Sequence, residues 1–195
     1  MFSHPFASSS TSFSQKSLTS INGRPQIKFV FRDNLCAIKV LKKGIWELLQ
    51  DHFGNVWTPL YHSTAEATVA TGKKAEVHYE KFPKHVVFDV LKIIGKPLNE
   101  IKIDPKWGFK LVEKNGVAHF YTETIFGAKL YTQEMILSAF FKALKLQTVS
   151  IANVKFEEIR ISTDFELNES QKAIFEKAAE MNFLKIVSFH IENVE

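Results

Sequence analysis

One thiol and seven imidazoles are the most reactive side chains in this 195-residue chain. As a thiolate, Cys36 would be a nucleophile or a metal ligand. It lies in an apolar run from Leu35 to Leu41, however, and no neighbour in the sequence would lower its pKa. A lone thiol on such a strand reads as a small hydrophobe, and being single it forms no internal disulfide. The histidines are His4, His52, His62, His78, His85, His119 and His190, and they show no ligand spacing with cysteine or carboxylate. They read as structural or surface groups rather than a metal site. No Gly-rich mononucleotide loop, serine nucleophile elbow or zinc-knuckle spacing occurs.

Charge excludes one class of partner. The net charge is +4, but Lys16, Arg24, Lys28 and Arg32 precede the first acid, leaving 21 bases against 21 acids over the rest. A neutral folded part argues against a nucleic-acid binder, whose bases would cluster on the domain itself. No apolar run approaches the roughly 20 residues that span a membrane, and the amino terminus lacks a compact secretory core. A cytoplasmic protein without a membrane partner is expected. Residues 1–25, rich in Ser and Thr, read as a disordered leader, a composition that also suits organelle import. At 45% hydrophobic and 13% aromatic, residues 26–195 can bury one core.

Ile27, Phe29 and Phe31 alternate with Lys28, Val30 and Arg32, then Asp33-Asn34 precedes the run to Leu41, which gives strand, turn, strand. A third strand is expected over Ile45 to Leu49, with a turn at Gly54-Asn55. Val86, Val87, Val90, Leu91 and Ile94 recur at helical spacing, with Gly95 and Pro97 as the stop. Trp107 to Val112 and Val117 to Ile125 flank an Asn115-Gly116 hairpin turn. Thr132 caps a helix through Lys145, and a strand follows from Val154 to Ile161. Asn168 and Gln171 form a capping box for a helix bearing Ile174, Phe175, Ala178 and Met181, and Ile186 to Ile191 closes a strand-helix-strand unit.

The last 65 residues carry a pattern, Y-T-Q-E-M-I-L-S-A-F-F-K-A-L-K from Tyr131 and I-R-I-S-T-D-F-E-L-N-E-S-Q-K from Ile159. It resembles the first lobe of the nucleotide-binding domain of the 70-kDa heat-shock chaperone family, which has Thr-Pro-Glu before one helix and Phe-Asn-x-x-Gln-Arg before the next. Gly44 to Tyr61 is similar to the family's G-x-V-E-I-I-x-N-x-x-G-N-R-T-T-P-S-Y at Glu47, Gly54, Asn55, Thr58 and Pro59. V-F-D-V-L-K-I-I-G-K from Val87 and Trp107-Gly108-Phe109 resemble the family's V-F-D-x-K-R-L-I-G-R and Trp-Pro-Phe. The resemblance implies an α/β chain with the actin-like ATPase (ribonuclease-H-like) fold. It would be the first lobe only, a mixed sheet with flanking helices and a small inserted subdomain at about residues 58–130.

The resemblance fails where its chemistry should be. The family's Asp-Leu-Gly-Thr-Thr-x-Ser phosphate loop falls on Phe29 to Leu35, so Phe29 replaces the metal-side aspartate and Phe31 the glycine that lets backbone reach phosphate. Arg32, Asp33 and Asn34 are what remains there to meet an anion or nucleotide, and Arg32 also reads as a plain exposed strand residue. The family's Gly-x-x-Ala-Lys segment falls on Gly72 to Glu76, with Glu76 in place of the catalytic lysine and Lys73 and Lys74 beside it. A unit charge at 4 Å is worth about 4 kcal/mol at an effective dielectric near 20, so attraction for a phosphate becomes repulsion. Glu192 falls on the glutamate that positions catalytic water in the family, the one candidate catalytic residue, and it also reads as a solvated acid. Asp164 stands where the family couples its domains through proline, and Lys172 stands for an arginine.

These replacements imply a non-catalytic, truncated member that acts through protein partners, either co-chaperones or other chaperones of the family. Neither ATP nor magnesium is then a cofactor. A residual ATP-binding domain with weak hydrolysis, using ATP and magnesium, is the alternative. A lobe without a later segment to cover its sheet should also expose apolar surface, which invites self-association.

Overall fold

The computed structural model describes residues 20–21 and 24–192. The expected leader thus lies outside the described residues, except for Ser20–Ile21 and Arg24–Pro25, which pair antiparallel.

The alternation read from residue 27 builds the centre of the molecule. Strands β1 (Ile27–Arg32), β2 (Leu35–Lys42) and β3 (Ile45–Leu48) form an antiparallel meander, and β4 (Trp57–Pro59) pairs with β2 beyond the end of β3. The chain then leaves this sheet. Strands β5 (His62–Ser63) and β6 (Ala70–Thr71), helix α1 (Lys73–Lys81), β7 (Val86–Val87) and the one-turn helix α2 (Val90–Ile93) come next. Strands β8 (Lys110–Lys114), β9 (Val117–Thr122) and β10 (Lys129–Tyr131) follow as a second small sheet. Its β8–β9 turn is the Asn115-Gly116 pair, both residues at positive φ, as a tight hairpin turn requires.

The last third returns to the main sheet. Helix α3 (Gln133–Ala152) leads into β11 (Glu158–Thr163), then α4 (Glu169–Glu180) and β12 (Lys185–Ile191). Strand β11 lies parallel to both β1 and β12, giving the order β12-β11-β1-β2-β3. A meander joined to parallel strands through helical crossovers makes a mixed α/β sheet.

Both long helices pack on the face that carries Phe29 and Phe31. Phe141 of α3 and Phe175 of α4 stand 5.7 and 5.2 Å from the Phe31 ring, and all four rings are fully buried. Burying each such side chain contributes about 1.5–3 kcal/mol. Thr132 caps α3 by accepting from the Met135 amide at 3.2 Å. The capping box of α4 is complete: Asn168 accepts from the Gln171 amide at 2.9 Å, and Gln171 accepts from the Asn168 amide at 3.0 Å. Gln133, at the start of α3, reaches back to the inserted elements by accepting from the Gly95 amide and donating to the Ala118 carbonyl.

Several expectations need correction. Val86 and Val87 have helical spacing with the residues that follow, yet they are a strand paired with β5. Asp89 holds a left-handed φ of 57° and confines the helix to Val90–Ile93. Helix α3 runs past Lys145 to Ala152, because Thr148 and Ala152 continue its buried stripe, and it stops at Asn153 in the left-handed conformation. For that reason β11 starts at Glu158 rather than Val154. Helix α1 was missed: Ala75 is its one buried residue, so it has almost no apolar stripe to read. By length and composition alone α3 is apolar enough to cross a membrane, at a mean hydropathy of 1.3 over its best window. Its stripe packs inside the fold instead. Exposed apolar side chains occur both in loops, at Phe53, Phe126 and Phe183, and on the outer strands β3 and β12 of the main sheet, at Ile45, Leu48, Val187 and Ile191.

Candidate functional site

The expected nucleotide residues meet at the β1–β2 turn. Arg32 ends β1, half-buried; Asp33 is exposed with φ 50°; Asn34 completes a two-residue turn. Asn34 is committed to structure. Its side-chain oxygen accepts from the Asp89 amide at 3.0 Å, and its carbonyl accepts from the Leu60 amide at 2.8 Å.

Below the turn the family's phosphate-loop positions are strand. Phe29 is fully buried, 5.9 Å from Phe141 and 6.3 Å from Phe156, and Phe31 sits between Phe141 and Phe175. Neither side chain offers an oxygen to magnesium. No backbone amide of a tightly paired strand is free to cradle a phosphate at these positions, because Phe29 pairs with Ile161 and Ile38, and Phe31 with Thr163 and Cys36. Among the described residues, no three His, Cys, Asp or Glu side chains converge as a metal site. The residues present therefore do not fit a magnesium nucleotide held in the family's manner.

Glu192 makes its contacts away from the side chains of that turn. Its amide donates to the Thr163 carbonyl, and its carboxylate lies 2.8 Å from Lys39 and 3.7 Å from Lys28, on the sheet face opposite the helices. Burial pushes the Lys28 ammonium below its usual range. Glu192 opposes that shift, while Lys39 and Arg160 add to it. His190 is likewise lowered, by burial first and then by Lys28 and Arg160. The carboxylate thus sits as a counter-ion to crowded bases.

Glu76 also finds a local partner. It pairs with Lys73 one turn away, while Lys74 pairs with Glu66, and both lysine side chains are largely exposed. Neither lysine is directed to the β1–β2 turn in place of the lost one. Lys172 pairs with Glu169 on the surface of α4, and the Asp164 carboxylate has one buried oxygen with no hydrogen-bond partner. Cys36 is buried under the β4 edge, its thiol pushed up to about 12 by burial, which leaves it unreactive.

One residue at this place had no assigned role in the sequence. Asp89 is 7% exposed; its carboxylate accepts from the Trp107 indole at 3.1 Å and pairs with Lys92 at 2.9 Å, while its amide holds Asn34. The signal was available, since Asp89 and Trp107 both fall inside the segments quoted for the resemblance. What they share, a hydrogen bond across 18 residues, has no periodicity to betray it.

The family model described as Hsp70 protein matches residues 32–188. That span starts at the β1–β2 turn, takes in both small sheets, and continues through α4 into β12. It covers most of the chain, beginning just after Phe31, and the chain belongs to the Hsp70 family.

Proposed function

We propose that this chain is a first lobe of an Hsp70-type nucleotide-binding domain that no longer hydrolyses ATP and works through contacts with proteins, either co-chaperones or other family members. Family membership carries the actin-like ATPase fold and a chaperone-like role. The observation that supports a non-catalytic form is the full burial of Phe29 and Phe31 in the aromatic core. Phosphoryl transfer is achieved almost entirely by positioning and charge stabilisation. Here the metal-side and backbone-cradling positions are packing residues, and Glu76 supplies the wrong charge.

Isothermal titration of the folded protein with ATP and magnesium, beside an active Hsp70 chaperone as positive control, tests this reading. No saturable heat is expected. Saturable micromolar binding would overturn it and restore the residual ATPase, with Arg32 and Asp33 at the turn as the groups to mutate first.

A further inference from the structure

We infer that a cavity at the carboxyl end of α3 is filled by the chain's own amino-terminal segment, with Phe13 entering it and Lys16 meeting Glu157. This contact lies outside the nucleotide question, and it holds whether or not the chain binds ATP.

The cavity measures about 470 Å3, inside the roughly 300–1,000 Å3 range of pockets that enclose a ligand. Lys145 and Val149 on α3, Phe156 and Glu157 ahead of β11, and Phe183 in the turn before β12 line it together with Pro25. Hydrogen bonds hold these walls in place. The Lys185 amide donates to the Glu157 carbonyl at 2.7 Å, and the Leu184 amide donates to the Ala179 carbonyl at 3.0 Å. The Lys145 ammonium donates to the Asn182 carbonyl at 2.7 Å, so this cation is committed to the protein, whereas Glu157 is exposed. Access is through apolar side chains, since Phe156 is 8%, Val149 38% and Phe183 85% exposed.

Phe183 marks the cavity as one side of a contact. It holds φ 54°, a region that glycine occupies freely and a bulky residue rarely does, and it places its ring in solvent beside the opening. Leu146, three residues before Val149 on the same face of α3, adds a further exposed apolar side chain. The occupant is indicated by where the chain enters. Ser20 is the cross-strand partner of Pro25, and Pro25 lines the cavity. Antiparallel partners stand about 4.5–5.5 Å apart at Cα, so the chain that precedes Ser20 starts beside the opening. Phe13 lies seven residues before Ser20 and reaches up to about 25 Å from it when extended. Residues 1–19 carry Phe2, Phe6, Phe13 and Leu18, no acid, and Lys16 as their one lysine, which suits an apolar cavity with an exposed glutamate. A segment tethered this close acts at an effective concentration on the order of millimolar, which a separate protein would have to exceed.

Lys16 is the first trypsin site in the chain, which gives the test. Cleavage after Lys16 is timed by mass spectrometry in the whole chain and in a synthetic peptide of residues 1–20. The whole chain is expected to be cut at least about tenfold more slowly, because the protease acts on the undocked population. Phe13→Ser and Phe183→Gly should each speed cleavage in the whole chain by about tenfold, as loss of one buried aromatic contact predicts. Phe183→Gly suits the left-handed backbone and removes an exposed ring, so its thermal midpoint should not fall, and its cleavage rate reads docking rather than folding. Cleavage of the whole chain as fast as the peptide, or an unchanged rate in Phe183→Gly, would overturn the assignment. So would protection that grows with protein concentration, which would give the cavity to a second copy of the chain.

Discussion

At the scale of single residues, Phe31 and His62 show how far an identity can be read without its surroundings. That Phe31 stands in for a glycine is what the resemblance implies. That it fills a slot between Phe141 and Phe175 was not legible, because those rings arrive from more than a hundred residues away. Restoring glycine should therefore injure the fold rather than revive the chemistry. Phe31→Gly should cost at least about 3–5 kcal/mol in urea unfolding and should yield no ATP binding in titration. His62 is 3% exposed, with rings of Tyr131 and Phe140 around it and neither ring nitrogen bonded. Burial lowers its pKa from 6.5 to about 4, so the folded state holds it neutral. An unfolded chain binds that proton below about pH 6.5 and the native one does not. Stability from this group is then complete above pH 6.5 and is lost as pH falls toward 4, by on the order of 3 kcal/mol. His62→Leu should flatten this part of the pH dependence. Urea midpoints at pH 7 and pH 5, compared between the two proteins, measure it; parallel losses in both would exclude His62 as the cause.

Elements divide by whether their cues are local. The β1–β2 hairpin and the α4 capping box were legible because period-two alternation and an Asn-x-x-Gln pair act within a few residues. Tertiary contacts set the rest. Gln171, besides closing its capping box, donates to the Ile94 carbonyl 77 residues away, and Asn34 reaches 55 residues to Asp89. The Val86–Ile94 segment shows the same limit: its spacing suits a helix, but pairing with His62–Ser63 takes its first two residues. Gly108 makes the point at an element contact. Where the family has proline, a Cβ here would come within 2.2 Å of the Pro83 carbonyl oxygen and 2.3 Å of its carbon. The strand-entry segment lies directly on the turn Pro83–His85, against backbone that cannot swing aside. Gly108→Pro, although it restores the family's residue, should lower the thermal midpoint by about 5 °C or more, since even ordinary overpacking costs about 1–3 kcal/mol. An unchanged midpoint would mean that the turn moves freely.

For the whole molecule, the resemblance gave the order of elements and the family, which the match over residues 32–188 shows. It did not give the register by which strands β1, β2 and β11 place Lys28, Lys39 and Arg160 in one row. Register belongs to pairing between distant strands, so no single segment could announce it.

The bond from the Asp89 amide to Asn34, together with the indole bond from Trp107 to the same aspartate, amounts to a latch with an optical reporter built into it. The tip of the central hairpin and the inserted elements are tied at one buried point. A force that swings the insertion must break the Trp107 indole bond to that buried carboxylate, so the indole's surroundings would change as the latch opens.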